Sequence, residues 1–166
     1  MDDNKLTVTA GEIEHLTLNG IPAGNKTSID QFSPLQKLKL YSTIAQGRAE
    51  FSIVTTIYIR SKTRGKITGL TLSSINWKFL FMNKNAASGE DENIYPISGT
   101  SGTEVNLKIN FDAAKLFPGE KTETVINNLL KIFSRQINTG KGLLQFNADL
   151  SADGRKSHVA EVITLF

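Results

Sequence analysis

The stretch that decides the fold runs from Phe51 to Met82 and opens with FSIVTTIYIR, residues 51–60. One row of alternate side chains in its first part is apolar, and that row comprises Phe51, Ile53, Ile57 and Ile59. The same alternation returns in its second part at Ile75, Trp77, Phe79 and Phe81. A period of two is typical of a half-buried strand. Two long strands rich in aromatic and β-branched residues predict the centre of a β-sandwich.

Shorter segments with strand character flank this stretch. They are Lys5–Ala10, Glu12–Leu18, Leu35–Ile44, Ile94–Ile97, Glu104–Phe111, Leu143–Leu150 and Ser157–Phe166. Pro96 marks the fourth of them as an edge strand. The pair Asp153-Gly154 predicts a hairpin between the last two, whereas the polar residues 83–93 are interpreted as a hairpin loop or short linker. Between Lys121 and Ile137 apolar residues instead recur every three or four positions, which predicts an amphipathic helix at about 122–137.

The sequence therefore predicts a mainly β protein. We expect an antiparallel immunoglobulin- or fibronectin-III-like β-sandwich of about eight strands with one late amphipathic helix. We expect the 166 residues to form a single domain, 1–166, with residues 1–4 disordered.

Composition excludes several classes of function. The net charge of +3 comes from Lys and Arg residues scattered along the chain, which argues against a nucleic-acid partner. The chain has no cysteine, which excludes disulfides, zinc–thiolate sites and cysteine nucleophiles. It also has no run of 18 apolar residues, so no membrane-spanning helix is expected.

Catalytic patterns are scarce. Ser157 and His158 are adjacent on a predicted strand and would point to opposite faces, while Asp153 lies in the predicted turn. A hydrolase triad instead needs groups that separate elements bring together in a pocket. We therefore expect no enzymatic activity, no metal and no cofactor.

The most distinctive feature expected on the surface is a basic loop between the two central strands. Its four cations are Arg60, Lys62, Arg64 and Lys66. Such a cluster could bind phosphate or an anionic lipid headgroup. The alternative is a solvated loop whose charges discourage edge-to-edge strand pairing.

The aromatic residues of the central strands allow two interpretations. Tyr58, Trp77, Phe79 and Phe81 could line a cavity for an apolar ligand between the sheets. Aromatic residues at strand spacing are more often plain core, and core is the expectation that we prefer.

The order of the later elements resembles a known family. A core strand, a break at Arg60–Lys66, a strand through Leu70 and Leu72, the segment from Val105 to Phe117, an amphipathic helix and a closing hairpin follow one another. This order is similar to the late embryogenesis abundant type-2 family, which includes the water-stress and hypersensitive-response domain and bacterial lipoprotein relatives. The Asn-Pro-Asn that is usual there is replaced by Arg60-Ser61-Lys62. The resemblance implies a fibronectin-like sandwich without a catalytic site, and bacterial relatives are tethered outside the cytoplasmic membrane through a lipidated cysteine.

These observations lead to one functional expectation and one alternative. We expect a non-catalytic, extracytoplasmic binding, protective or assembly module that contacts a protein or a membrane surface. The location presumes that a leader preceded Met1. The alternative is a carrier that holds a lipid or another apolar ligand between its sheets.

Overall fold

The computed structural model of the protein describes residues 6–61, 69–97, 102–135 and 139–166. Ten strands lie within these ranges: β1 (Leu6–Ala10), β2 (Glu14–Leu18), β3 (Ile21–Pro22), β4 (Glu50–Ser61), β5 (Thr71–Phe81), β6 (Lys84–Asp91), β7 (Tyr95–Pro96), β8 (Thr103–Asp112), β9 (Gly142–Ala152) and β10 (Arg155–Thr164). The helices of the same ranges are α1 (Pro34–Ala45), α2 (Ala113–Leu116), α3 (Thr122–Arg135) and a 3₁₀ turn at Ile29–Gln31. The predicted disorder of residues 1–4 lies outside the described residues.

The strands form two five-stranded antiparallel sheets, each arranged around one of the two long strands. In the first sheet β4 pairs along almost its whole length with β8, and on its other side with β1 and β2. In the second sheet β5 lies between β9 on one side and β6 and β7 on the other, and β10 extends the sheet beyond β9. The predicted antiparallel β-sandwich is confirmed.

The core lies between the inner faces of β4 and β5. Phe51, Ile53, Ile57 and Ile59 are all fully buried, as the alternation predicted. Phe79 is buried in the opposite sheet. Among the described residues, Thr55 is the one buried polar side chain, and its hydroxyl has no hydrogen-bond partner.

Helix α3 closes one end of the sandwich, and the prediction of an amphipathic helix here is confirmed. Its apolar stripe is buried through Val125, Ile126, Leu129, Leu130 and Phe133. The Phe133 ring lies 4.9 Å from the Phe166 ring and 5.7 Å from the Phe51 ring, measured between centroids. Such edge-to-face and tilted contacts add to the stabilisation from burial. The predicted last residues of the helix, 136 and 137, lie outside the described residues.

The predicted strand at Leu35–Ile44 is wrong, because this segment is α1. The spacing of Leu38 and Leu40 imitated a strand, but the helix begins with a strong local signal. Ser33 is the N-cap and Pro34 occupies the first turn, where its missing N–H costs nothing.

The predicted hairpin loop at residues 83–93 is also wrong, because most of it is β6. This strand has no apolar alternation, and its register with β5 accounts for this at one position. Gly89 lies opposite Trp77, so the large indole fills the space that a side chain on β6 would otherwise take.

The closing hairpin was predicted correctly. β9 and β10 pair without a shift of register, from Leu143 opposite Thr164 to Ala152 opposite Arg155. Asp153 and Gly154 both have positive φ, 48° and 76°, as the favoured two-residue hairpin turn requires.

Candidate functional site

The strongest candidate for a binding surface is α1, the helix that the sequence pattern did not predict. Its start is fixed by a capping box. The Ser33 hydroxyl accepts a hydrogen bond from the Gln36 amide at 3.3 Å, and the Gln36 side chain accepts one from the Ser33 amide at 3.2 Å. On the inner side Leu40 is fully buried.

The end of α1 is fixed by Asn19, which follows β2. The Asn19 side chain donates to the Thr43 hydroxyl at 2.8 Å and to the Arg48 carbonyl at 3.1 Å. Its oxygen accepts from the Glu50 amide at 2.8 Å, at the first residue of β4. The helix is therefore held at both ends, and its orientation relative to the sheet is preorganised.

The outer side of α1 is apolar. Leu35, Leu38 and Tyr41 are 64%, 68% and 41% exposed, and together they are called the α1 face below. Six large hydrophobic side chains are exposed among the described residues, and three of them lie on this single helix. When a helix is apolar on its outer as well as its inner side, the outer side is normally covered by a protein partner or a membrane.

A groove runs beside the α1 face. Its volume is about 590 Å³. One wall is the turn between β2 and β3, including Asn19 and Ile21, and the other is Leu38, Lys39 and Ser42 of the helix. The face and the groove together form a continuous, partly apolar surface at the end of the sandwich where β4 begins.

The charges around the α1 face are unevenly distributed. The helix carries Lys37 and Lys39 and contains no acidic residue. A carboxylate approaches at the Tyr41 rim, where the Tyr41 hydroxyl donates to Glu123 at 3.5 Å. Partial burial, and then the negative charges of Glu123 and Asp30, raise the pKa of Tyr41 above its ordinary value. The surface therefore has a lysine on each side of the α1 face, and a carboxylate adds negative charge next to Tyr41.

Of the predicted basic site, only Arg60 lies within the described residues. Lys62, Arg64 and Lys66 lie outside them. Arg60 is exposed on the outer face at the end of β4, opposite Thr7 of β1. Its stem passes close to Gly102, which has a φ of 72°, and a Cβ at that glycine would lie 2.7 Å from Arg60 Cγ. The anion-binding role of this loop stays a prediction.

Arg60 and α1 do not belong to one site. α1 leads into the first residue of β4, and Arg60 is near the last. Ten residues of strand at roughly 3.3 Å each separate the two ends by about 33 Å. A partner of the α1 face would therefore lie at the other end of the sandwich from the predicted basic loop.

The four aromatic residues of the predicted apolar cavity do not share one face. Tyr58 lies on the outer side of β4, between the buried Ile57 and Ile59. Trp77, Phe79 and Phe81 point inward, and the Phe79 ring is 5.4 Å from Phe111 and 5.9 Å from Phe166. Side chains occupy the space around Phe79, in agreement with the preferred interpretation as core, but that interpretation is wrong for Tyr58, which is not part of the core.

The residues considered for a triad are not assembled into one. His158 faces Asp149 across the hairpin, with Nδ1 and Oδ1 3.3 Å apart, and both side chains are about half exposed. Asp153 is in the turn, and Ser157 is the neighbour of His158 along the strand. Both members of this pair are exposed and lie on one hairpin, whereas a triad needs groups that separate elements bring together in a pocket.

Sequence reasoning missed the α1 face, although two signals for it were present. Ser33-Pro34 followed by Gln36 is the signature of a helix start. Within a helix, Leu35, Leu38 and Tyr41 recur every three residues and so fall on the side away from Leu40.

Two kinds of feature are absent from residues 6–61, 69–97, 102–135 and 139–166. No described helix combines the length and the apolar character needed to cross a bilayer. The same ranges contain no cluster of three or more His, Asp or Glu side chains that could hold a metal ion.

Comparison with known proteins gives similarity of structure alone. No protein-family model matches the chain, and no curated protein matches it. A protein from Archaeoglobus fulgidus of solved structure is 6% identical, with a TM-score of 0.44 over 93% of this chain and 92% of that one. A target of the Northeast Structural Genomics Consortium is 11% identical, with a TM-score of 0.43 over 96% of this chain and 85% of that one.

Proposed function

We propose that this protein is a non-catalytic binding module whose contact surface is the α1 face. The observation that carries the proposal is the outward exposure of Leu35 and Leu38 on a helix that is fixed at both ends. A folded protein gains nothing in stability by exposing two leucines next to each other. A partner that covers them removes that apolar area from water.

The rigidity of the helix supports a role in binding. Ordering a flexible segment costs free energy at the moment of association, and a segment that is already ordered avoids that cost. The capping box at Ser33 and the hydrogen bonds of Asn19 order α1 before any partner arrives. The sandwich then acts as a scaffold that presents one helix.

An extracytoplasmic location, which the resemblance to late embryogenesis abundant type-2 proteins implies, is part of the proposal. It is tested by fractionation of the native host with an antibody against the protein. Recovery with the cell envelope agrees with the proposal, and recovery with the cytoplasm contradicts this part of it without affecting the α1 face.

The carrier alternative has less support. A ligand between the sheets would need space near Ile57 and Phe79, and both of these side chains are fully buried by protein. The groove of the α1 face lies beside that helix, and two further grooves among the described residues are lined in part by Ile132 of α3. Native mass spectrometry of freshly purified protein tests this alternative, which predicts a co-purifying lipid.

The binding proposal is tested by photo-crosslinking in the native host. A benzophenone amino acid replaces Leu38, and in a control protein it replaces Lys108, which is exposed on the outer face of β8. The proposal predicts abundant adducts, to protein or to lipid, from position 38 and few from position 108. Equal yields at the two positions would contradict it.

A further inference from the structure

We propose that the partner of the α1 face is the surface of an anionic phospholipid bilayer. This inference rests on the proposed function, because it names the occupant of the same surface. It depends on the arrangement of apolar and charged residues around α1.

The exposed apolar side chains of α1 lie in one arc, on the side away from the buried Leu40. Successive residues of an α-helix are rotated by about 100°, so Leu35, Leu38 and Tyr41 span an arc of about 120°. Pro34, Ser42 and Ala45 fall within the same arc and are exposed, so the arc is apolar except for one small hydroxyl side chain. A helix that lies in a membrane interface has an apolar arc of this kind along one side.

Lysines border this arc on both sides. At the same rotation per residue, Lys39 falls about 40° beyond Leu35 and Lys37 about 40° beyond Tyr41. Lysine stems can lie along an apolar surface while their ammonium groups reach the headgroups. An apolar groove on a partner protein would not require a cation on each side of the apolar arc. An anionic lipid surface, in contrast, attracts cations at both of these positions.

The carboxylates near the helix predict how it would be oriented. Glu123 lies at the Tyr41 rim, and anionic headgroups would repel it. We therefore expect Leu35, Leu38 and Lys39 to lie deepest in the interface and Tyr41 to lie at its edge. Glu123→Gln should then strengthen binding, which a purely apolar contact does not predict.

A second copy of the chain is a weaker candidate for the occupant. α1 has 12 residues and is therefore about 18 Å long. Specific dimers usually bury about 800 Å² on each partner. The α1 face offers three large side chains, which is a small area for such an interface.

The inference is tested by co-sedimentation of the purified protein with unilamellar vesicles. One set contains equimolar phosphatidylcholine and phosphatidylglycerol, and the other contains phosphatidylcholine alone. We expect binding to the anionic vesicles, weakened by salt because the Debye length shortens, and at least tenfold weaker binding to the neutral vesicles. The double variant Leu35→Ser, Leu38→Ser should lose roughly tenfold or more in partition coefficient. Lys37→Gln and Lys39→Gln should each lose about fivefold.

Matched controls distinguish binding through the α1 face from non-specific adsorption of the protein to vesicles. Val162→Ser removes a hydrophobic side chain of similar exposure, 63%, from β10, and Lys108→Gln removes one charge from β8. Both should bind like the wild type. Circular dichroism and thermal unfolding verify that every variant is folded.

Several results would overturn the inference. These are the absence of binding to anionic vesicles, equal losses in the controls, and a loss that follows Arg60→Ala instead of the α1 variants. A dimer in sedimentation velocity that Leu38→Ser dissociates would also overturn it in favour of a second copy. If the protein does not co-sediment with anionic vesicles while position 38 crosslinks to a protein, the lipid inference is wrong and the proposed binding function stands. If neither experiment gives a signal, both are wrong.

Discussion

The side-chain amide of Asn19 donates a hydrogen bond to the Thr43 hydroxyl at 2.8 Å and so ties the end of β2 to the last turn of α1. The same amide group also binds the Arg48 carbonyl, and its oxygen accepts from the Glu50 amide. Asn19 itself has a φ of 47°, a region that asparagine tolerates better than most residues. One side chain therefore positions the helix whose outer face is the candidate binding surface.

Asn19→Ala should destabilise the protein by about 2 kcal/mol, because it removes three hydrogen bonds and leaves their partners to be solvated. Urea denaturation measures the free energy of unfolding. In hydrogen exchange, the variant should exchange its amide protons faster than the wild type does, and this increase should be larger in the last turn of α1 than in β4. The control is Asn106→Ala, which removes a single bond to Thr56 on the outer face of the sheet and should cost less than about 1 kcal/mol. Equal costs for the two variants would contradict the role assigned to Asn19.

Gly89→Ala should destabilise the protein by about 1–3 kcal/mol, because a Cβ at this position would lie 2.5 Å from Cζ2 of the Trp77 indole. Trp77 is the only tryptophan, so its fluorescence reports the displacement directly. The control is Gly24→Ala, where no atom lies within 4 Å of the added Cβ. That variant should stay within about 0.5 kcal/mol of the wild type or become slightly more stable. An unchanged emission spectrum in Gly89→Ala would count against the packing described here.

Thr55→Val should stabilise the protein by about 1 kcal/mol. The Thr55 side chain is 1% exposed, and its hydroxyl has no hydrogen-bond partner, so folding desolvates a polar group without compensation. The control is the neighbouring Thr56→Val, which removes a 2.8 Å bond to Asn106 on the outer face and should give no such gain. The check is to compare the denaturation midpoints of the two variants with that of the wild type. A loss of stability in Thr55→Val would indicate that the hydroxyl is satisfied.

The sequence was sufficient where one face of an element is buried and the other is not. In β4 the alternation of Phe51, Ile53 and Ile57 with polar residues corresponds directly to an inner and an outer face. In α3 the spacing of Leu129 and Phe133 corresponds to a helix with one buried stripe. In both cases the burial of the element produced the pattern that predicted it.

The sequence was insufficient where neighbouring elements decide the conformation. α1 is apolar on two sides, so the period of its leucines did not distinguish a helix from a strand. Position 89 of β6 is a glycine because Trp77 of β5 fills the space beside it, and that relationship is visible only in three dimensions. The candidate site followed the same rule. Arg60 was found from charge alone, whereas the α1 face emerged only once Leu40 was seen to point inward and Leu38 outward.

The hydrogen bond between the Tyr95 hydroxyl and the Asp91 carboxylate predicts a loss of stability at alkaline pH. That bond, followed by partial burial, raises the pKa of Tyr95 above its ordinary value of 10.0, and Asn93 partly counteracts the shift. Above pH 10.0 the unfolded chain releases the Tyr95 proton while the folded chain keeps it. The unfolded state therefore binds fewer protons, and stability falls as the pH rises through the folded pKa. Asp91→Asn removes the negative charge, so in a phenolate absorbance titration Tyr95 should ionise closer to its ordinary value, and the alkaline loss of stability should shrink. A titration curve that Asp91→Asn leaves unchanged would show that the carboxylate does not control this tyrosine.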